Sequence, residues 1–136
     1  MRLVIDTNVF MQALSRKNQY HPILESIRYL MPHFLLVSNE IISEYYEIIS
    51  RHFSEKALNR IEIFIENSIK IITVEPHYRF NLVSTDPDDN KFVDCAICSN
   101  ADFLITSDKH FDILKSVQFP KVNIISPEEF IKEYLH

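Results

Sequence analysis

Short apolar runs recur along the chain, separated by longer segments whose apolar residues return every three or four positions. The runs are Leu3–Ile5, Phe34–Val37, Ile69–Val74, Phe103–Thr106 and Val122–Ile125. Each is rich in β-formers and predicts a short buried strand. Between them the spacing predicts helices. Val9–Leu14 forms a short one, followed by the polar loop Ser15–Gln19. Pro22 opens an amphipathic helix carrying Ile23, Ile27 and Leu30, and Pro32 closes it. Ser38 or Asn39 can cap a helix that runs to about His52. Another covers about Ser54 to Ser68, with Leu58, Ile61, Phe64 and Ile65 on one face. A helix over about Asn90–Ser99, a short one starting near Asp108, and a terminal one opened by Pro127 complete the set. Only Glu75 to Asn90, with Pro76, Pro87 and the acidic end Asp86-Pro-Asp-Asp89, reads as irregular, a candidate functional loop.

Strands alternating with helices imply βαβ units. The expected fold is a three-layer α/β/α sandwich around a mainly parallel sheet of about five strands, in a single domain spanning 1–136. No repeat, low-complexity tract or linker divides the chain.

Composition narrows the functions available. The chain has 136 residues, 46% hydrophobic and 24% charged, the ordinary balance of a globular domain. A net charge of -5 argues against a generally basic nucleic-acid coat, although divalent cations can offset both site and phosphate charge. There is no glycine. That removes the glycine-dependent phosphate loops of P-loop and dinucleotide-binding proteins. It also hands positive-φ turns to residues such as Asn67, Asn90 or Asn100. No apolar run approaches membrane-spanning length, and the first strand has no basic leader before it. Together with two cysteines, these features lead us to expect a reduced, cytoplasmic protein without a membrane partner. Cys95 and Cys98 form a C-x-x-C inside an apolar helix, where a structural role fits better than zinc or redox chemistry.

Four acids carry the candidate chemistry. Asp6 ends the first strand and Asp108 closely follows the fourth, and open parallel sheets bind ligands beyond the carboxyl ends of their strands. The plain alternative for Asp6 is a turn or cap acid and for Asp108 a helix cap, and capping does not exclude ligation. On the helix after Ser38, Glu40 and Glu47 fall opposite the apolar arc, whereas Glu44 lies about 40° beyond its edge, next to the buried face. A solvated glutamate is the plain alternative there. Asp94 is the only charged residue in Phe92–Cys98; burying it unpaired would be costly or would raise its pKa. A hard divalent cation would stabilise four such carboxylates together. Mg²⁺ or Mn²⁺ suits them better than Zn²⁺, because no histidine pair has ligand spacing and thiols are few. Asn8 and Thr106 can hold acids or waters in place, or serve as ordinary turn residues. Asp86, Asp88 and Asp89 can act as outer ligands or as a solvated loop and cap.

The combination of Val4-Ile-Asp-Thr-Asn8, Glu44, Asp94-Cys-Ala-Ile97 and Thr106-Ser-Asp108 resembles the PIN-domain family, which includes metal-dependent ribonucleases and VapC-type toxins. Asp86-Pro-Asp-Asp-Asn-Lys-Phe92 is similar to the lead-in of one prokaryotic branch of it. The resemblance runs from residue 2 to about 126. It implies that Asp6, Glu44, Asp94 and Asp108 form an acidic metal site for one or two such ions. The implied reaction is hydrolysis of an RNA phosphodiester to a 5′-phosphate and a 3′-hydroxyl. Asp6 would be the central ligand and Thr106 a supporting donor. Arg16, Lys17, Lys91 and Lys109 are candidate phosphate contacts, or plain surface charges. Implied partners are RNA, a neutralising antitoxin that inserts a basic side chain into the site, and a second copy in a homodimer. The aromatic residues Tyr20, Tyr29, Tyr45 and Tyr46 could serve that dimer or the core.

Rival readings fare less well. A haloacid-dehalogenase-like phosphatase needs an acid two residues after its nucleophile, where Asn8 stands. A phosphate-receiving signalling domain needs an acceptor acid ending the third strand, where the chain offers only Glu75. The remaining alternative is a non-catalytic PIN-like RNA-binding or protein-interaction module, which the lack of a basic stripe slightly favours.

Overall fold

A computed structural model describes residues 1–28 and 32–135. Five strands, β1 (Arg2–Ile5), β2 (Phe34–Val37), β3 (Ile71–Thr73), β4 (Phe103–Ile105) and β5 (Ile124–Ile125), form one sheet. Its order is β3-β2-β1-β4-β5, and every pairing is parallel. The helices are α1 (Thr7–Leu14), α2 (His21–Arg28), α3 (Asn39–His52), α4 (Glu55–Asn67), α5 (Asn90–Cys98) and α6 (Pro127–Tyr134). They flank the sheet in the expected α/β/α arrangement.

The central strand is apolar because both of its faces are covered. Leu3, Val4 and Ile5 are fully buried, as a parallel strand under helices on both sides requires. Phe10 of α1 stacks on Tyr45 of α3 at 4.1 Å, and the Tyr45 hydroxyl donates to the Ile5 carbonyl at the end of β1. Tyr45 and Tyr20 are core residues; Tyr46 is half-buried. Tyr29 and Leu30 lie outside the described residues. Among the described residues no helix is long and apolar enough to cross a membrane.

The helix starts follow side-chain chemistry. Ser38, rather than Asn39, caps α3, its Oγ accepting from Ile41 N at 3.3 Å. Ser54 and Ser126 cap α4 and α6 in the same way. Several boundaries differ from expectation. β3 starts at Ile71, two residues late, because Ile69 is 91% exposed and has nothing to pack against. β5 shrinks to two residues at the sheet edge. Lys109–Ser116 winds as an extended 3₁₀ segment. α1 begins at Thr7, directly after Asp6.

Of the asparagines expected at positive φ, only Asn100 takes it (φ 53°), in the turn after α5. Asn67 ends α4, and Asn90 has helical φ at -63°. The second left-handed position is Asn81 (φ 52°), within the irregular segment. In a chain without glycine, asparagine is the residue that reaches this region most readily.

Candidate metal centre at the carboxyl end of the sheet

The register Ile5↔Ile105 sets the next residue of each strand side by side. Asp6 N donates to Ile105 O at 3.0 Å, extending the ladder by one bond. Thr106, the residue after β4, donates its hydroxyl to Asp6 Oδ2 at 2.9 Å. The same Thr106 Oγ1 accepts from Asp108 N at 3.0 Å, and Asp108 Oδ1 accepts from His110 N at 2.9 Å. One chain of hydrogen bonds thus ties together the two acids at the strand ends. Asp6 is buried, and burial raises its pKa. Asp108 and Glu44 push in the same direction, against the Thr106 bond.

Glu44 enters from α3. Thr7, the residue after Asp6, donates its hydroxyl to one Glu44 oxygen, and Lys91 of α5 pairs with the other at 2.8 Å. The Lys91 side chain is 12% exposed, and its ammonium also lies 5.6 Å from the Phe92 ring centre. Glu40 is far more exposed and pairs with Arg79 at 3.6 Å. Glu44, not Glu40, therefore keeps company with Asp6.

Asp89, at the N-terminal end of α5, is the residue that sequence reasoning underweighted. Its Oδ2 is buried without a hydrogen-bond partner. His110 Nδ1 lies 3.6 Å from it, too far for a hydrogen bond. Burial pushes the Asp89 carboxyl up to about 6, with Asp86, Asp6 and Asp108 adding to the effect and His110 opposing it. Asp86, Asp89 and His110 offer ligand atoms within 4.8 Å of one another. His110 Nδ1 also lies 3.4 Å from Asp108 Oδ1. The histidines are scattered in sequence, yet this one stands among three acids. The available signal was its place two residues after Asp108, inside the same turn.

Asp94 faces another way. Its Oδ1 accepts from Phe80 N at 3.1 Å. Burial raises its pKa; Arg79 opposes that shift and Glu40 adds to it. The charged neighbours of Asp94 are thus Arg79 and Glu40, whereas those of Asp6 are Asp108, Glu44 and Asp89. The structure brings Asp6, Glu44 and Asp108 together and sets Asp94 beside a neighbouring cleft.

The remaining candidates divide as follows. Thr106 bridges Asp6 and Asp108. Asn8 is exposed, and its neighbour Thr7 makes the contact to the acidic group. Lys91 is paired inside the site, while Arg16, Lys17 and Lys109 are exposed. Asp86 Oδ1 accepts from Asp88 N at 3.2 Å, capping the 3₁₀ turn Pro87–Asp89. Cys95 is buried, and burial pushes its thiol up to about 12, which makes it inert; Cys98 is exposed, and neither is in a disulfide.

A family model described as a PIN domain matches residues 2–110. The uncharacterized protein MJ1680 of Methanocaldococcus jannaschii is 31% identical over 153 aligned positions, covering 98% of this chain and 92% of that protein. Among solved structures, VapBC2 from Rickettsia felis, bound to a DNA fragment from its promoter, is similar with a TM-score of 0.64 and 16% identity. It covers 93% of this chain and 98% of the other. VapBC-1 from nontypeable Haemophilus influenzae gives a TM-score of 0.63 at 16% identity over 94% and 99% of the two chains. FitAcB from Neisseria gonorrhoeae gives 0.58 at 17% identity over 93% and 98%.

Proposed function

Because the chain belongs to the PIN-domain family, we propose that it is a divalent-metal-dependent ribonuclease, the toxin half of a toxin–antitoxin pair. The observation that carries this reading is the buried Oδ2 of Asp89, which has no hydrogen-bond partner and lies 3.6 Å from His110 Nδ1, beside Asp6 and Asp108. Burial raises the pKa of both Asp6 and Asp89, so holding their charge out of water is costly, and a cation offsets that cost. A donor set of carboxylate oxygens with one imidazole nitrogen, His110, supports Mg²⁺ or Mn²⁺, and the nitrogen suits Mn²⁺ better.

In this reading Asp6, Asp108 and Asp89 hold the ion or ions, with Glu44 as the fourth acid. Asp89 takes the place the sequence offered to Asp94, a choice supported by the bond of Asp94 to Phe80 N. A metal bound there would supply Lewis-acid stabilisation of phosphate charge and would lower the pKa of a water it binds. The protein does the rest by positioning. Thr106 fixes the Asp6 carboxylate and the Asp108 backbone relative to each other. Thr7 and Lys91 hold Glu44 at both oxygens, so its orientation is set before substrate arrives. Lys91 brings the one lysine ammonium paired into this acid cluster and is the candidate to meet an incoming phosphate. An antitoxin that neutralises the enzyme would offer a basic side chain to the same carboxylates. The complexes named for the similar VapBC structures support looking for such a partner.

The test is RNA cleavage in Mg²⁺ or Mn²⁺ by wild type and Asp6→Asn. We expect metal-dependent cleavage that the substitution lowers by more than about 100-fold, beyond the 10–100-fold cost of losing a supporting residue. Absence of both cleavage and metal binding across several RNAs would replace this reading with a non-catalytic interaction module.

A further inference from the structure

Beside the acidic centre, the segment Glu75–Asn81 and α5 together line a cavity of about 340 Å³. That is within the range of small-molecule sites. Glu40, Asp88 and Lys91 line this cavity and also a second one that contains Glu44, so the two spaces adjoin. The cavity has a buried floor and planar groups at its mouth. Asp94, only 7% exposed, lines it; Oδ1 takes the Phe80 N–H, and Oδ2 has no donor among the described residues. Tyr78 is 74% exposed, with its ring tilted against Phe80, and Arg79 stands next to it, 3.6 Å from Glu40.

We propose that this cavity is a guanine subsite, in which Asp94 and Glu40 accept from the base's Watson–Crick edge and Tyr78 or Arg79 stacks on its face. Ionised carboxylates only accept hydrogen bonds. A wall bearing Asp94, Glu40 and Asp88 therefore selects an edge made of donors. Guanine presents N1–H and N2–H₂ side by side. Adenine and cytosine present one amino group beside an acceptor, and uracil an imino group between two carbonyls. Unpaired bases are bound by stacking on aromatic rings or guanidinium planes combined with reading of their edges. An arginine from a partner protein also presents a donor-rich plane. Arg79 at the mouth opposes a second cation there, while it can stack on a neutral base. The proposal rests on the ribonuclease reading for its place next to the cleaved bond, but not for binding itself.

The two are therefore tested separately. Uncharged nucleosides are titrated into the ¹⁵N-labelled full chain, so no phosphate can bind through the metal centre. Guanosine is expected to shift the amide signals of Phe80 and Asp94. Adenosine, cytidine and uridine should bind at least about 10-fold more weakly, the scale of a lost two-point contact. Asp94→Asn should abolish the preference. Tyr78→Ala, at an exposed position that leaves the core intact, should weaken guanosine while leaving the spectrum folded. Equal shifts from all four nucleosides, or guanosine selectivity retained by Asp94→Asn, would overturn the subsite. Arginine amide binding the same signals more tightly than guanosine would overturn it in favour of a partner's arginine. If wild type also cleaves RNA, its cuts should cluster beside guanines and lose that bias in Asp94→Asn. Guanosine selectivity without any RNA cleavage would sustain the subsite and remove the ribonuclease reading instead.

Discussion

The chemistry of single residues here depends on which carboxylate has a partner. Glu44 has Thr7 on one oxygen and Lys91 on the other, whereas Glu40 has only the exposed Arg79 pair. Mn²⁺ affinity measured by calorimetry should therefore fall in Glu44→Gln and stay within about twofold of wild type in Glu40→Gln, since exposed pairs contribute little. The reverse order would reassign the fourth acid. Asp89 carries a pH signature. Its folded pKa is raised from 3.8 to about 6, so the folded state holds the proton more tightly than the unfolded chain. The associated stability is fully present below about pH 4 and is lost as pH rises through about 6. Asp89→Asn should thus stabilise the metal-free protein at pH 7 by about 1–2 kcal/mol after solvent screening, with little gain at pH 4. Urea unfolding in a chelator at the two pH values reads this difference directly.

At the scale of elements, the site exists because β1 and β4 are neighbours. Asp6 and Thr106 are 100 residues apart in the chain, and the parallel register brings them together so that Thr106 joins Asp6 to Asp108. The irregular segment is anchored by another polar contact. The Asn90 side chain accepts from Val83 N and donates to Val83 O, both at 2.9 Å and all buried. Asn90 thus acts as a clamp where a positive-φ turn was expected of it. Asn90→Ala would leave both Val83 groups unpaired, at a cost of about 2–4 kcal/mol. Because the loss falls on the segment before α5, limited proteolysis should cut around residues 76–86 faster than in wild type. Unchanged proteolysis would mean the segment is held by other contacts.

Across the whole molecule, an acidic protein carries an acidic centre. With a net charge of -5, the fold gathers Asp6, Glu44, Asp86, Asp89 and Asp108 at one end of the sheet against Lys91 and His110. In the proposed reading, such a centre limits stability until a cation binds it. Saturating Mn²⁺, at about 100 times its dissociation constant, should add about 2.7 kcal/mol and raise the melting temperature by about 10 °C. Asp6→Asn should lose most of that shift. A melting temperature indifferent to Mn²⁺ in wild type would count against the centre as drawn.

Much of this was written in the local pattern. Strands buried on both faces need near-continuous apolar runs, and helices under one covered face need the 3.6-residue period, so the alternation of the two already implied a parallel sheet between helices. The grouping of Asp6, Thr106 and Asp108 was legible because the carboxyl ends of neighbouring parallel strands lie side by side, where ligands bind in such sheets. Glu44 was legible from its angle on α3. Tertiary contacts decided the rest. The period of α5 says that Asp94 adjoins the buried face, but not that the Glu75–Asn81 segment folds over that face and takes its carboxylate through Phe80 N. Nor does it say that Asp89, which reads in sequence as a cap in an acidic turn, has an oxygen buried beside His110. Both outcomes follow from an irregular segment, where no periodicity exists to read and the packing of distant residues alone chooses the path.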